Sequence, residues 1–406
     1  MVFAGCCILA AMGFGMPMTV FSVFVTPLVA YLDTKVTVVM LYYTLATAFQ
    51  VIPLLLVPRL MKRIDLVCII AVAGVVLGLA FVLLALIPCV GMVWLAGALV
   101  GLSCATSSIL VIPVIISNWF IKKQGTFMGV SLAFSGVGSA VMSPIISAAI
   151  QNHGWQTAMI ALGVLVAVLI VVSALFLVRT APASVGLQPF GANDALESDD
   201  VSGDGEKACG VLYKDIFRMP AFWILACMFV LVGFVSILTT QANTIVQSSG
   251  FSAAVAGVVV SCTSIGAICG KLILGWVADK KNAAVMGLVD AVFLWIALAC
   301  YVAGILSGTV ALMYCAGFFG GMAAASATMA GPMFTKDAFG TREYGSIYGT
   351  IMLFGTAGSA LAAPVFSLFY DLGGSYIGAL VMLAVLAVVF VPLGFAGVRS
   401  GRKSWS

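Results

Sequence analysis

The stretch LVCIIAVAGVVLGLAFVLLALI, residues 66–87, carries no charged side chain and nothing more polar than one cysteine. About 20 apolar residues in helical form span a ~30 Å hydrocarbon layer, and a helix satisfies its backbone polar groups internally, as lipid demands. The other lipid-compatible solution, a closed barrel, needs alternating apolar and polar residues, and no period of two appears here. Runs of this kind recur along the whole chain. Hydrophobic residues make up 63% of it and charged residues 8%, against roughly 25% charged in soluble domains. The sequence therefore predicts an all-α membrane protein.

Cutting at polar and turn-forming residues predicts twelve transmembrane helices, near 3–31, 36–57, 66–87, 91–117, 127–150 and 157–178, then near 219–241, 253–276, 284–306, 308–333, 345–369 and 376–397. The opening MVFAGCCILAAM has no basic leader region and reads as the first span, not as a removable signal. Residues 179–218, rich in Gly, Ser and acid around ESDDVSGDGEK, read as a linker. The expected organisation is a six-helix half over 1–178, the linker over 179–218, a second half over 219–398 and a tail over 399–406. Of eighteen Lys and Arg residues, all but Lys35 and Lys271 fall on one side of these spans. Basic residues are retained in the cytoplasm, so the expectation is a multi-pass protein of the cell membrane with both termini and the linker cytoplasmic. The eleven cysteines form no CxxC pair and read as small apolar residues. No cofactor, metal cluster, phosphate loop or nucleophile constellation is evident, and the charge of +4 asks for no nucleic-acid partner. No enzyme is expected.

The halves repeat. QGTFMGVSLAFSGVGSAVMSP (124–144) set above YGSIYGTIMLFGTAGSALAAP (344–364) matches Gly125, Gly129, Phe134, Gly138, Ser139, Ala140 and Pro144 to Gly345, Gly349, Phe354, Gly358, Ser359, Ala360 and Pro364 without a gap. Six spans, an even number, separate the copies, so the repeats are parallel, as in the two halves of major facilitator transporters.

The loops make that resemblance specific. VPRLMKRID between spans two and three and GWVADKK between spans eight and nine resemble the superfamily's Gly-x-x-x-Asp-Arg/Lys loop signature. The second copy matches at Gly275, Asp279 and Lys280. The first departs, with Val57 for the glycine and Met61 for the aspartate, but keeps Arg59 and Lys62. NWFIKKQGTFMGVSLAFSGVG (118–138), Tyr344-Gly345 and Tyr348-Gly349 resemble the branch of monocarboxylate transporters and oxalate/formate antiporters. The resemblance implies the major facilitator fold, alternating access, and gating or coupling roles for Asp279, Lys280, Arg59 and Lys62.

Lys271 lies eight residues before Asp279, hence about 12 Å deeper at 1.5 Å per residue. An ammonium inside a membrane costs at least ~2.5–3.5 kcal/mol, so it has to face water or a counter-charge. In the oxalate/formate branch a basic residue of span eight, with Gly four and Asp eight positions on, binds substrate carboxylate. Lys271, Gly275 and Asp279 reproduce that spacing, with Lys where the branch has Arg. The bland reading is a side chain that snorkels to the interface. No Lys or Arg occurs from Gly345 through Phe369, and a single cation suits a monoanion better than a dianion.

Asp290, an acid within span nine, admits two readings: a proton-carrying coupling residue, or a structural tie, as the outer position of span nine in this fold implies. GFGMPM (13–18), with Met18 at its end, breaks span one where a cavity or neighbour has to satisfy the backbone. With Phe21, it is read as cavity wall. Tyr42, Tyr43, Gln50 and Tyr348 offer hydroxyl or amide contacts to a substrate. The small residues of spans four and ten read first as packing surfaces. The function read from the sequence is secondary transport of a small organic anion, a monocarboxylate by preference, by a monomer in the bilayer, with a proton or counter-anion as coupling partner. The alternative is efflux of neutral or cationic lipophiles. A channel fits the duplicated pattern and paired loop signatures poorly.

Overall fold

A computed structural model describes residues 1–61, 63–120, 122–179, 182, 186, 188, 190, 210–373 and 375–403. Twelve long helices run through the described residues: α1 (Val2–Val25), α2 (Val38–Leu60), α3 (Leu66–Leu86), α4 (Val90–Trp119), α5 (Gln124–His153), α6 (Trp155–Leu177), α7 (Pro220–Thr240), α8 (Ala253–Lys280), α9 (Ala283–Ser307), α10 (Val310–Phe339), α11 (Tyr344–Gly373) and α12 (Ile377–Arg402). Eleven of them are long and apolar enough to cross a membrane. Among the described residues there is no β-sheet, only two isolated bridges. The spans lie where the sequence predicts them, with ends that differ by six residues at most.

The chain divides into two compact units, Met1–Lys122 with Ser131–Glu197, and Lys123–Val130 with Ser198–Ser406. In each, small residues bring helices into contact inside, and large aliphatic residues cover the outer faces as well as filling the core. On α3, Ala73, Gly74, Leu77, Gly78 and Phe81 are buried while Val72, Val75 and Leu79 are exposed. A soluble helix would reverse the outer face; lipid accepts it, and helix association then rests on close contact of small residues. Gly78 accordingly meets Gly163 of α6 backbone to backbone.

The duplication is visible in the contacts. α5 and α11 are both 30 residues long and begin 220 positions apart. In the first unit, α4 lays Gly97 and Gly101 on the carbonyls of Tyr42 and Ala46; in the second, α10 lays Gly317 and Gly321 on those of Val259 and Thr263. A Cβ at any of the four would lie within 2.8 Å of the facing carbonyl oxygen, so only glycine permits this approach. Likewise Gly138 of α5 packs on Ala11 of α1, and Gly358 of α11 on Val230 of α7.

Several helices are irregular where the sequence frees the backbone. Pro17 supplies no N–H, and α1 widens to i→i+5 turns over Ala11–Val20. α4 does the same over Ala105–Ile109. α10 tightens locally at Ala325, between Val310–Ala324 and Ser326–Phe339: the dihedrals stay helical, and the Ala325 N–H reaches back three residues to the Met322 carbonyl at 3.3 Å. Ends are set by local chemistry: Asn282 Oδ1 accepts the Val285 N–H at 2.8 Å to start α9, and Gly308, at φ 67°, ends it.

Candidate functional site

The second unit gathers a polar cluster at the Lys280 end of α8. Asp279 lies just before that end, and its two carboxylate oxygens accept the Gly125 N–H at 2.5 Å and the Thr126 N–H at 2.6 Å. These are orphan donors of the first turn of α5, where a negative charge also meets the positive end of the helix dipole. Gly125 lets the helices touch, since a side chain there would meet the Gly275 carbonyl. One residue earlier, Gln124 is buried and its Oε1 accepts from Lys336 Nζ at the end of α10. Asp337, beside it, accepts the Ala283 N–H of α9 at 2.9 Å and pairs with Arg402 at 3.5 Å. Lys280 Nζ stands 4.3 Å over the Trp276 ring, a cation–π contact.

Lys271 lies eight residues back along α8, about 12 Å away along the axis, and is partly buried. Its stretch of backbone is fixed on two sides. Gly129 of α5 abuts the Lys271 carbonyl, and Gly270 abuts Met322 of α10. The backbone of the lysine is thus held from both sides.

Tyr348, also in this unit, is buried at 1% exposure. It stacks on Tyr344 with ring centroids 5.8 Å apart, and its ring faces Gly331 of α10. Tyr344 donates to the Pro332 carbonyl at 3.3 Å.

The first unit brings Phe21, Tyr42 and Tyr43 together. Phe21 stacks on Tyr42 at 3.6 Å between centroids, and Tyr43 meets both rings edge-on. Tyr42 is fully buried and its hydroxyl donates to the Pro17 carbonyl at 2.9 Å, in the widened part of α1. Tyr43 and Met18 are partly buried, and Gln50 is buried at the turn that interrupts α2. Arg59 is exposed near the end of α2, and Lys62 lies outside the described residues. Asp290 is buried in α9 of the second unit.

Sequence reading missed Gln124, Lys336 and Asp337. Lys336 was visible only as one basic residue among many, because its partner is 212 positions away. A signal existed for Asp337: an acid near the end of one span opposite the free N–H groups that open another.

Comparisons with known proteins follow the same lines. The family model described as Major Facilitator Superfamily matches residues 4–306. An uncharacterized MFS-type transporter, YhjX, of Escherichia coli (strain K12) is 26% identical over 270 residues, covering 64% of this chain and 61% of that protein. Monocarboxylate transporter 12 of Xenopus laevis is 25% identical over 306 residues, covering 71% and 65%. A probable hexose phosphate transport protein of Chlamydia muridarum is 24% identical over 199 residues, covering 44% and 42%. The chain thus spans less than two thirds of the length of each of these relatives. Among solved structures, the proton:xylose symporter XylE superposes with a TM-score of 0.73 at 12% identity, over 100% of this chain and 96% of that one. The Escherichia coli fucose:proton symporter FucP gives 0.68 at 12%, over 97% and 98%. At such identities the likeness speaks for the fold. Twelve helices, duplicated packing and the matched family model together make the chain a member of the major facilitator superfamily, a family of membrane transporters.

Proposed function

We propose that this transporter carries a small organic anion, a monocarboxylate in the first place, by alternating access, and that Lys271 holds the carboxylate. The observation that carries the reading is Lys271 itself: a cation within a long apolar helix, on backbone fixed by Gly129 and Gly270. An ammonium in that setting is stabilised by an anion, and a lysine is a point charge that accepts carboxylates of varied geometry. The names of several relatives agree in charge: monocarboxylate, hexose phosphate and glycerol-3-phosphate transporters. Of the other residues offered to a substrate, Met18 and Tyr43 are partly buried and stay available for contact, whereas Phe21, Tyr42, Gln50 and Tyr348 are buried and shape the packing of their own units. Asp279, with Lys280, Arg59 and Lys62, serves gating: the bonds of Asp279 to the first turn of α5 break and re-form during the cycle. The protein acts as a monomer in the cell membrane, with both termini cytoplasmic.

The test is competition in proteoliposomes. Uptake of labelled lactate, formate or acetate by the reconstituted chain, competed by the other carboxylates and indifferent to lipophilic cations, supports the reading. Transport of lipophilic cations without carboxylate uptake overturns it.

A further inference from the structure

We propose that residues 210–218, the end of the linker, are a strap that fastens the α10–α11 connection to the start of α7 and opens and closes as one unit. The composition of 179–218 reads as linker throughout, yet its end is held in place within the second unit. α10 ends with carbonyls that have no partner inside the helix. The strap supplies one: the Val211 N–H donates to the Phe339 carbonyl at 3.0 Å, beside an isolated antiparallel bridge between Gly210 and Gly340. Glycine is required at 210, where φ is 148° and a Cβ would lie 2.5 Å from the Phe339 carbonyl oxygen. Further on, the Tyr213 N–H donates to Glu343 Oε2 at 2.6 Å. The Tyr213 side chain reaches α11, where its hydroxyl lies 3.1 Å from Thr350 Oγ1. A hydroxyl has one hydrogen to give, and Thr350 gives its own to the Ser346 carbonyl at 2.9 Å. Tyr213 is therefore the donor.

The other end of the strap belongs to α7. Ile216 is fully buried, and Phe217 meets the Tyr213 ring edge-on at 5.5 Å and the Phe222 ring at 5.1 Å. Phe222, in the first turn of α7, meets Phe354 of α11 at 5.9 Å. Trp223 Nε1 donates to the Phe217 carbonyl at 3.1 Å. The residues between these anchors, Leu212, Lys214 and Asp215, are exposed. Few anchors on an exposed stretch make a segment that opens locally, well before the helices it ties. Because the anchors share one short stretch of chain, losing one loosens the others. Residues 179–209 lead to the strap from the first half of the chain, so a pull along the linker acts on the ends of α10 and α11 as well as on α7. The strap needs neither Lys271 nor a substrate, and it shares no residue with the contacts of Asp279.

Amide hydrogen exchange of the full chain in lipid, resolved by residue, tests this directly. In the parent, the amides at 211 and 213 should show one common protection, slower to exchange than a free peptide and faster than the middle of α11. Tyr213→Phe keeps the ring and removes the bond to Thr350. It should speed both amides about fivefold, the worth of one ordinary hydrogen bond, although the Val211 bond itself is untouched. The middle of α11 should not change. Glu343→Ala should also speed both amides, and Glu343→Gln, which keeps an acceptor, should hold most of the parent's protection. Equal exchange at 211 in the parent and Tyr213→Phe overturns the proposal, because the segment then does not open as a unit. So does parent protection at 211 and 213 equal to that of a free peptide, or equal to that of the middle of α11.

Discussion

Asp279 accepts the backbone N–H of Thr126 at 2.6 Å, joining residues 153 positions apart. With its second oxygen on Gly125, one side chain satisfies two donors at the start of a 30-residue helix. Replacing Asp279 with Ala should destabilise that helix start by about 1–2 kcal/mol, the usual worth of an N-terminal cap. Amide hydrogen exchange at Gly125 and Thr126 should accelerate while the middle of α5 stays protected. Unchanged exchange at both amides would show that the cap carries no energy.

The glycine contacts predict opposite outcomes at two sites of the second unit. Gly321→Leu forces a side chain onto the Thr263 carbonyl, and overpacking of this kind costs ~1–3 kcal/mol. Gly257→Ala meets open space and should be neutral or stabilising by up to about 1 kcal/mol through helix propensity. Melting temperatures of the purified variants check both, and equal values for the two would contradict the packing described for α8 and α10.

Tyr42→Phe keeps the stack on Phe21 and removes the donor to Pro17. A buried acceptor left without its partner costs about 1–3 kcal/mol, so the variant should melt lower than the parent. A melting temperature equal to the parent's would mean that the carbonyl freed by the widened turn is satisfied in another way.

Orientation rests on the placement of basic residues. Single cysteines introduced at Lys35 and Lys403 in a cysteine-free background should label from opposite sides with a membrane-impermeant thiol reagent, Lys35→Cys from outside and Lys403→Cys only after permeabilisation. Labelling of both from the same side would refute the twelve-span topology.

The fold was legible in the sequence because lipid leaves few choices. A run such as residues 66–87 has to be a helix, and the register of 220 residues between the glycine patterns reappears as two helices of equal length. Side-chain roles were less legible. A helix that is apolar on every face gives no sign of which residue turns inward, so nothing in the sequence announced that the Tyr42 hydroxyl is taken up by Pro17. Long-range pairs such as Gln124 with Lys336 depend on helix ends meeting in space. Asp279 was identified through its loop signature, whereas the two amides it caps, 153 and 154 positions away, could not be read from it.

The most direct measurement of the central claim is ligand-induced stabilisation of purified parent, Lys271→Gln and Lys271→Arg against a panel of formate, acetate, lactate, pyruvate and oxalate. A ligand that binds only the folded state stabilises it by about 2.7 kcal/mol at a hundredfold excess over its Kd. The parent should melt higher with at least one monocarboxylate. Lys271→Arg should keep part of that shift, and Lys271→Gln should lose it while melting normally without ligand. A carboxylate shift that survives intact in Lys271→Gln would contradict the claim.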